Sequence, residues 1–183
     1  MGKGLRSLAT IIENLARAQS DLLRAADAVP ADHWKTRPGE GRWSAGELTG
    51  HLITIERAII GRADKVLRKP PKEVPFFKRL HFPMAVAKSR LIRLKTPIPL
   101  DPGIVCGKEE MLAELRQVRE RTLAFMEETM ERDLSKYRMQ HPFLGTLNTY
   151  EWFQLIASHE IRHSKQMREI ARTLPKSVIS LEK

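Results

Sequence analysis

The chain of 183 residues has a single cysteine, Cys106, and no long apolar segment. One cysteine excludes a disulfide framework and fits the reducing environment of the cytoplasm. No apolar run approaches the roughly 18–20 residues that span a bilayer. The first residues, Met-Gly-Lys-Gly-Leu-Arg, lead directly into a helical pattern. We therefore expect a cytoplasmic protein without a signal peptide or a membrane-spanning helix.

Aromatic residues are also scarce, at 6% of the chain, although the formal net charge is +10. A basic balance of this size could attract nucleic acid, anionic lipid or acidic small molecules. The lysines and arginines are spread over all segments and mixed with acids, which is typical of a solvated surface. Without a recognition-helix or base-stacking motif, nucleic-acid binding is the less favoured interpretation, and it predicts DNA binding that weakens steeply with salt.

No segment alternates polar and apolar residues with the period of two that strands show, whereas four segments have the spacing of amphipathic helices. These helices are predicted near residues 5–29, 45–67, 108–130 and 149–174. Ser44 and Glu47 have the capping-box pattern that starts the second helix, and Asn148 with Glu151 repeats it before the fourth. The apolar stripe of the first helix comprises Leu5, Leu8, Ile12, Leu15, Leu22, Ala26 and Val29.

Proline is concentrated between the second and third helices, where residues 70–107 contain seven of the chain's 11 prolines. A connection this long is unusual in a compact bundle, where helix links take about 2–8 residues. It is explained if the chain crosses the bundle, so that the second and third helices run parallel. The sequence therefore predicts one domain over residues 1–183, an all-α four-helix bundle in up-down-down-up order. A short helix is predicted near residues 84–94 of the crossover.

Three histidines, His51, His159 and His163, fall on the predicted buried stripes of two helices. A buried imidazole is costly unless its nitrogens have partners, and one metal ion can satisfy several of them. His159 and His163 are four residues apart, so on a helix their Cβ atoms lie roughly 5–6 Å apart on one face. His51 reaches the same level if the second and fourth helices are antiparallel, given a rise of ~1.5 Å per residue. Three nitrogen ligands with open positions are typical of a reactive metal site rather than a structural one.

The segment from His159 to His163 also matches the H-E-x-x-H motif of zinc metalloproteases, with Glu160 as the general base. That interpretation needs a third ligand downstream, where the nearest candidates are Glu169 and Glu182, and it lacks a predicted strand to form a protease cleft. We therefore favour the three-histidine site. In this site Glu160 is predicted to act as a base, or as a partner that hydrogen-bonds the ligands from behind.

Other polar residues are weaker candidates for the same site. Gln166, three residues after the last histidine, and Gln19 on the first helix could hold a ligand in place, or either could fill polar space in the core. His141 and His81 lie in predicted loops, where a side chain can contact a substrate but is more often solvated.

Two stretches of the sequence carry a resemblance to a known family. The first is Trp34-x-x-x-Pro38 with Gly41-Arg42-Trp43-Ser44, followed by His51; the second is His141-Pro142-Phe143-Leu144-Gly145, leading through Glu151-Trp152 to His159-Glu160-x-x-His163-x-x-Gln166. In these motifs the chain resembles the DinB superfamily of metal-binding four-helix bundles over nearly its whole length. The resemblance implies that His51, His159 and His163 hold a divalent metal ion, often zinc or nickel, with water in the remaining positions. It also implies a homodimer, and some relatives transfer low-molecular-weight thiols.

Three neutral imidazoles leave a metal ion its full positive charge, so the ion can lower the pKa of bound water or thiol. The sequence therefore predicts a metal-dependent enzyme that acts on a small molecule, either a hydrolase or, as the resemblance implies, a thiol S-transferase. The alternative is a non-catalytic metal-binding protein of the stress response or an interaction module. Zinc, nickel, copper and iron all suit a three-imidazole site, so these residues alone do not identify the metal.

Overall fold

The structure is a computed structural model that describes residues 3–71 and 105–174, with side chains from residue 8 onward. Four α-helices account for most of these residues: α1 (Lys3–Asp27), α2 (Ala45–Leu67), α3 (Lys108–Glu128) and α4 (Thr149–Thr173). All four predicted helices are confirmed, with ends close to those predicted. Within the described ranges, no helix combines the length and the apolar character needed to cross a membrane.

The starts of α2 and α4 are fixed by the two predicted capping boxes. The hydroxyl of Ser44 accepts a hydrogen bond from the Glu47 amide at 3.1 Å, and the Glu47 carboxylate accepts one from the Ser44 amide at 2.8 Å. Asn148 and Glu151 make the same reciprocal pair, at 3.0 and 2.7 Å. Since α2 and α4 carry the candidate ligands, the caps help to fix where the histidines lie along the bundle.

The ends of the helices meet in two apolar core clusters. One cluster contains the first halves of α1 and α4 with the last turns of α2 and α3. The other contains the second halves of α1 and α4 with the first halves of α2 and α3. Representative members of the first are Leu8, Phe153, Leu67 and Met126, and of the second Leu22, Ile170, Leu48 and Met111. Thus α1 is parallel to α4, α2 is parallel to α3, and the two pairs are antiparallel, which confirms the up-down-down-up order.

The helices form two closely packed pairs, α1 with α4 and α2 with α3, while α2 and α4 make a smaller contact between the pairs. Because α2 and α3 are parallel, the last residue of α2 and the first residue of α3 lie at opposite ends of the bundle. The predicted crossover connects these two residues. Its proline-rich part, including the helix predicted near residues 84–94, lies outside the described residues.

The expectation that the chain has no strands was wrong for the segment between α3 and α4. There β1 (Arg138–His141) pairs antiparallel with β2 (Gly145–Asn148) in a two-stranded hairpin. The turn ends at Gly145, whose φ of 86° is in the left-handed region that favours glycine. Each strand has four residues and one buried position, Met139 in β1 and Leu147 in β2. One buried position is too few to show an alternation of polar and apolar residues.

The prediction that Ile12 lies on the buried stripe of α1 was also wrong. Ile12 is 39% exposed, whereas its neighbour Ile11 is fully buried. The buried face runs in steps of three and four from Leu8 through Ile11 to Leu15, and on to Leu22. Since both isoleucines are apolar, the spacing alone could not decide which of them packs in the core.

Candidate metal centre

The antiparallel packing of α2 and α4 brings the three predicted histidines together. His51 lies near the start of α2, and His159 and His163 are one turn apart on α4. His51 and His163 are buried, while His159 is partly exposed. Two of the three candidate ligands are therefore enclosed by the core of the bundle.

The ε nitrogens of the three rings converge. Nε2 of His159 lies 3.2 Å from Nε2 of His51 and 2.9 Å from Nε2 of His163. One nitrogen from each ring lies within 4.8 Å of the other two. The predicted convergence of three ring nitrogens from two helices is confirmed.

The surroundings favour the neutral form of these rings. Burial lowers the pKa of His51 to about 4. Burial also lowers the pKa of His159 well below its usual range, and the charges of His163, His51, Arg162 and His141 lower it further. A neutral imidazole keeps one unprotonated nitrogen, which is the form that binds a metal ion.

The donor set fits a divalent cation. Nδ1 of His163 lies 3.1 Å from Oε1 of Gln166, which can only accept, so Nδ1 carries the proton and Nε2 has the lone pair. Such a partner for the outer nitrogen is typical of metal-binding histidines. Nε2 of His159 faces two other ring nitrogens, and one proton could bridge only one of these pairs, whereas a cation satisfies all three. Tetrahedral zinc with Zn–N distances of about 2.0–2.1 Å would place its ligand nitrogens about 3.3 Å apart, close to the spacing found.

Trp43 packs against the α2 side of the centre, and Trp34 packs against the start of the same helix. The rings of Trp43 and His51 lie 4.9 Å apart between centroids. Trp34 is buried, and its carbonyl accepts a hydrogen bond from the Gly46 amide at 2.9 Å. A Cβ at position 46 would clash with the Val105 side chain, so a larger residue does not fit there. These contacts pack the loop before α2 against the helix that carries His51.

His141 lies on the hairpin, near the centre. Its Nδ1 accepts hydrogen bonds from the amides of Phe143 and Leu144, both at 3.1 Å, so the neutral ring carries its proton on Nε2. The ring packs against Trp152, with 5.2 Å between centroids, and its charge would lower the pKa of His159. In this tautomer His141 can donate a hydrogen bond from Nε2 but cannot bind a metal ion through that nitrogen.

Glu160, the predicted base, lies in a buried ionic cluster. It is 2% exposed, and its Oε2 accepts a hydrogen bond from Nη2 of Arg119 at 2.9 Å. Its Oε1 is buried and has no hydrogen-bond partner among the described residues. Burial raises the pKa of Glu160 to about 7, against the opposing charge of Arg119. This hydrogen bond is to Arg119 rather than to a ligand, so both predicted roles of Glu160, as a base and as a hydrogen-bond partner of the ligands, stay predictions.

The other charged residues of this cluster were not predicted. Arg119 donates to the two carboxylate oxygens of Glu56 at 2.9 and 3.1 Å, and to the Leu15 carbonyl at 2.7 Å. The Thr122 hydroxyl donates to Glu56 at 2.7 Å. Together with Glu160 these groups form what we call the Arg119 cluster. Glu56 and Arg119 both occupy positions where helical spacing predicts an apolar residue, and this was the signal available in the sequence.

The remaining candidates lie elsewhere. Gln19 donates to the Leu115 carbonyl at 3.4 Å, so it links α1 to α3 rather than holding a ligand. Glu169 forms an ion pair with Arg42 at 3.8 Å. His81 and Glu182 lie outside the described residues. The third nitrogen beside the H-E-x-x-H pair comes from α2, which does not support the metalloprotease interpretation.

Comparisons with known proteins agree with this fold. The profile of the DinB superfamily matches residues 14–167. YuaE of Bacillus subtilis (strain 168), an uncharacterized protein, is 30% identical over 143 residues, which are 77% of this chain and 85% of YuaE. YfiT from Bacillus subtilis is described as a probable metal-dependent hydrolase with an unusual four-helix bundle topology. Its structure matches 94% of this chain and 89% of YfiT with a TM-score of 0.63 and 16% identity, a similarity that shows the fold alone.

Proposed function

The chain belongs to the DinB superfamily, and from this membership we propose that it is a metal-dependent enzyme acting on a small molecule. In this proposal His51, His159 and His163 hold a divalent ion, with zinc and nickel as the first candidates. The observation that carries the proposal is the convergence of the three ε nitrogens, at 2.9 and 3.2 Å around His159.

A divalent ion on three neutral imidazoles keeps its charge, lowers the pKa of a bound water or thiol, and polarises a substrate carbonyl. The part of the protein is to keep the imidazoles neutral and oriented. Burial keeps His51 neutral, and Gln166 orients His163 through its Nδ1. In our proposal a small molecule approaches the centre from the side of His159, which is the one ligand that is partly exposed.

The same centre supports hydrolysis or S-transfer, because both reactions need an activated nucleophile. YfiT is described as a probable metal-dependent hydrolase. The resemblance noted in the sequence implies relatives that transfer low-molecular-weight thiols. In our proposal Glu160 acts either as a base or as a residue that supports the ligands, and its hydrogen bond to Arg119 fixes its position. We also propose a homodimer, which light scattering coupled to size-exclusion chromatography tests.

Metal analysis of protein purified without chelator tests the binding. We expect one divalent ion per chain, and its loss in His51→Ala and in His163→Ala, because each variant removes one of three ligands. His33→Ala is the matched control, since His33 lies in the 3₁₀ turn Ala31–His33 before α2 and should leave the ion bound. Wild-type protein that binds no divalent ion would overturn the proposal.

Turnover by the metal-loaded protein tests the chemistry. We expect hydrolysis of activated esters or transfer of a thiol to an electrophile, with activity lost on chelation and restored by the ion. The two histidine variants should be inactive under the same conditions. Loaded protein without turnover across esters, thiols and electrophiles would contradict an enzyme and support the non-catalytic alternative.

A further inference from the structure

The Arg119 cluster joins the two helix pairs of the bundle. Arg119 on α3 and Glu56 on α2 belong to one pair, while the Leu15 carbonyl on α1 and Glu160 on α4 belong to the other. One guanidinium thus donates hydrogen bonds to the three other helices, at distances of 2.7 to 3.1 Å.

The candidate metal centre also spans the two pairs. His51 comes from α2 and the other two ligands from α4, and the direct contact between these helices is small. A shift of one pair along the other would move His51 away from His159 and His163. Glu56 is five residues after His51, about 7.5 Å along the helix axis, and Glu160 directly follows His159. The cluster therefore ties α2 to α4 close to the ligands.

Hydrogen bonds between charged groups restrict the position of helices more than apolar contacts do. They require defined distances and angles, whereas packed apolar surfaces tolerate small shifts. The three charged side chains are at most 4% exposed, so their desolvation is costly, and apolar residues in their place could be equally stable. Such a cluster is explained if it specifies the register of the helices rather than adding stability.

We propose that Arg119 is a positioning residue for the metal centre. Through Glu56 and Glu160 it sets the register between α2 and α4 in which three imidazoles can share one ion. The inference rests on the proposed metal binding, and adds a residue that contacts neither the ion nor the substrate. Its effect is on the affinity and geometry of metal binding.

Replacing the three charges together separates register from stability. The variant Arg119→Met with Glu56→Met and Glu160→Met leaves no unpaired charge of the cluster in the core, and we expect it to fold. Co²⁺ is the probe, because its visible absorption depends on coordination geometry. Displacement of Co²⁺ by Zn²⁺ then gives the affinity for Zn²⁺. We expect Co²⁺ to bind at least about tenfold more weakly with a changed spectrum, while the urea midpoint stays at or above that of the wild type.

Two further variants keep the test decisive. Arg119→Lys keeps the charge but loses the planar fork, and we expect weaker Co²⁺ binding with a changed spectrum. Leu134→Ala, a fully buried residue in the 3₁₀ turn after α3, should lower stability and leave the Co²⁺ spectrum unchanged.

The outcomes separate this inference from the proposed function. Wild-type affinity and spectrum in the folded triple variant would overturn the positioning role and leave metal binding intact. If the triple variant does not fold, wild-type Co²⁺ affinity and spectrum in Arg119→Lys would overturn the positioning role. Wild-type protein that binds neither Co²⁺ nor Zn²⁺ would overturn both.

Discussion

Two buried polar clusters lie near each other in this bundle, and they balance their charges in different ways. The Arg119 cluster contains its own cation, which donates to the carboxylates of Glu56 and Glu160. The histidine trio brings three ring nitrogens together without a charge of its own, since burial lowers the pKa of His51 to about 4. A cluster that contains both signs of charge has a cation supplied by the chain itself, whereas convergent neutral donors have their electron pairs available for an added cation.

Removing the internal cation should have the largest effect on stability. Arg119→Met leaves Glu56 and Glu160 buried without their partner, and breaking a buried ion pair in this way costs about 3–5 kcal/mol. Urea denaturation followed by circular dichroism measures the loss. Arg116→Met, which changes an exposed arginine of α3, is the control and should stay within about 0.5 kcal/mol of the wild type. Equal losses in both variants would contradict the special role of the buried guanidinium.

The histidine trio should gain stability only when a cation is added. At 100 times its Kd, Zn²⁺ is expected to stabilise the wild type by about 2.7 kcal/mol through mass action. His51→Ala should show little of this gain, because two imidazoles hold the ion weakly. Thermal unfolding with Zn²⁺ and with chelator measures the difference. The same stabilisation in both proteins would place the bound ion elsewhere.

The histidine trio was predicted from the sequence, but the Arg119 cluster was missed. The spacing of four residues places His159 and His163 on one face of a helix. Placing His51 beside them required only that α2 and α4 be antiparallel. Arg119 and Glu56 are charged residues of kinds that usually lie on solvated helix faces, so their burial depends on which helices pack together. Glu160 was selected from its motif, but its hydrogen-bond partner comes from α3 and no spacing indicates it.

Local patterns also account for what was right and wrong in the fold. Capping boxes at Ser44 and Asn148 involve residues within one turn, and both were predicted correctly. Which of Ile11 and Ile12 is buried depends on how α1 is rotated against its neighbours, and the sequence of α1 alone does not specify this rotation. The hairpin before α4 has strands of four residues, too short for a periodic signal.

An intermediate effect is expected at the residue that supports the trio from outside. Gln166→Leu removes the acceptor of the His163 Nδ1 proton, and losing such a partner lowers metal affinity about 10–100-fold. Competition with a chromophoric chelator measures the Zn²⁺ affinity. Lys165→Leu, an exposed neighbour, should bind like the wild type. Tight binding by Gln166→Leu would mean that another group orients His163.

The smallest effect is expected where the cation of an ion pair lies at the protein surface and water shares in its solvation. Glu47 pairs with the largely exposed Arg37, whose hydrogen bond holds the pKa of Glu47 below its usual range. Its contribution is therefore complete above the unfolded pKa of about 4.3 and is lost as the pH falls through the lower folded pKa. We expect Glu47→Gln to cost about 1 kcal/mol or less near pH 7, with the difference from the wild type shrinking below about pH 4.

Urea denaturation between pH 3 and 7 measures this difference, with the exposed Glu40→Gln as the control that should show little change at any pH. The pH dependence separates the two contacts of Glu47. The amide side chain introduced by Glu47→Gln could still accept the hydrogen bond from the Ser44 amide, but it could not form an ion pair with Arg37 at any pH. The wild type loses this ion pair only when Glu47 is protonated, so the two proteins should differ less at low pH. A deficit that stays constant down to pH 3 would contradict the lowered pKa. It would mean that the ion pair between Glu47 and Arg37 adds little stability, because water can solvate the largely exposed charge of Arg37 equally well.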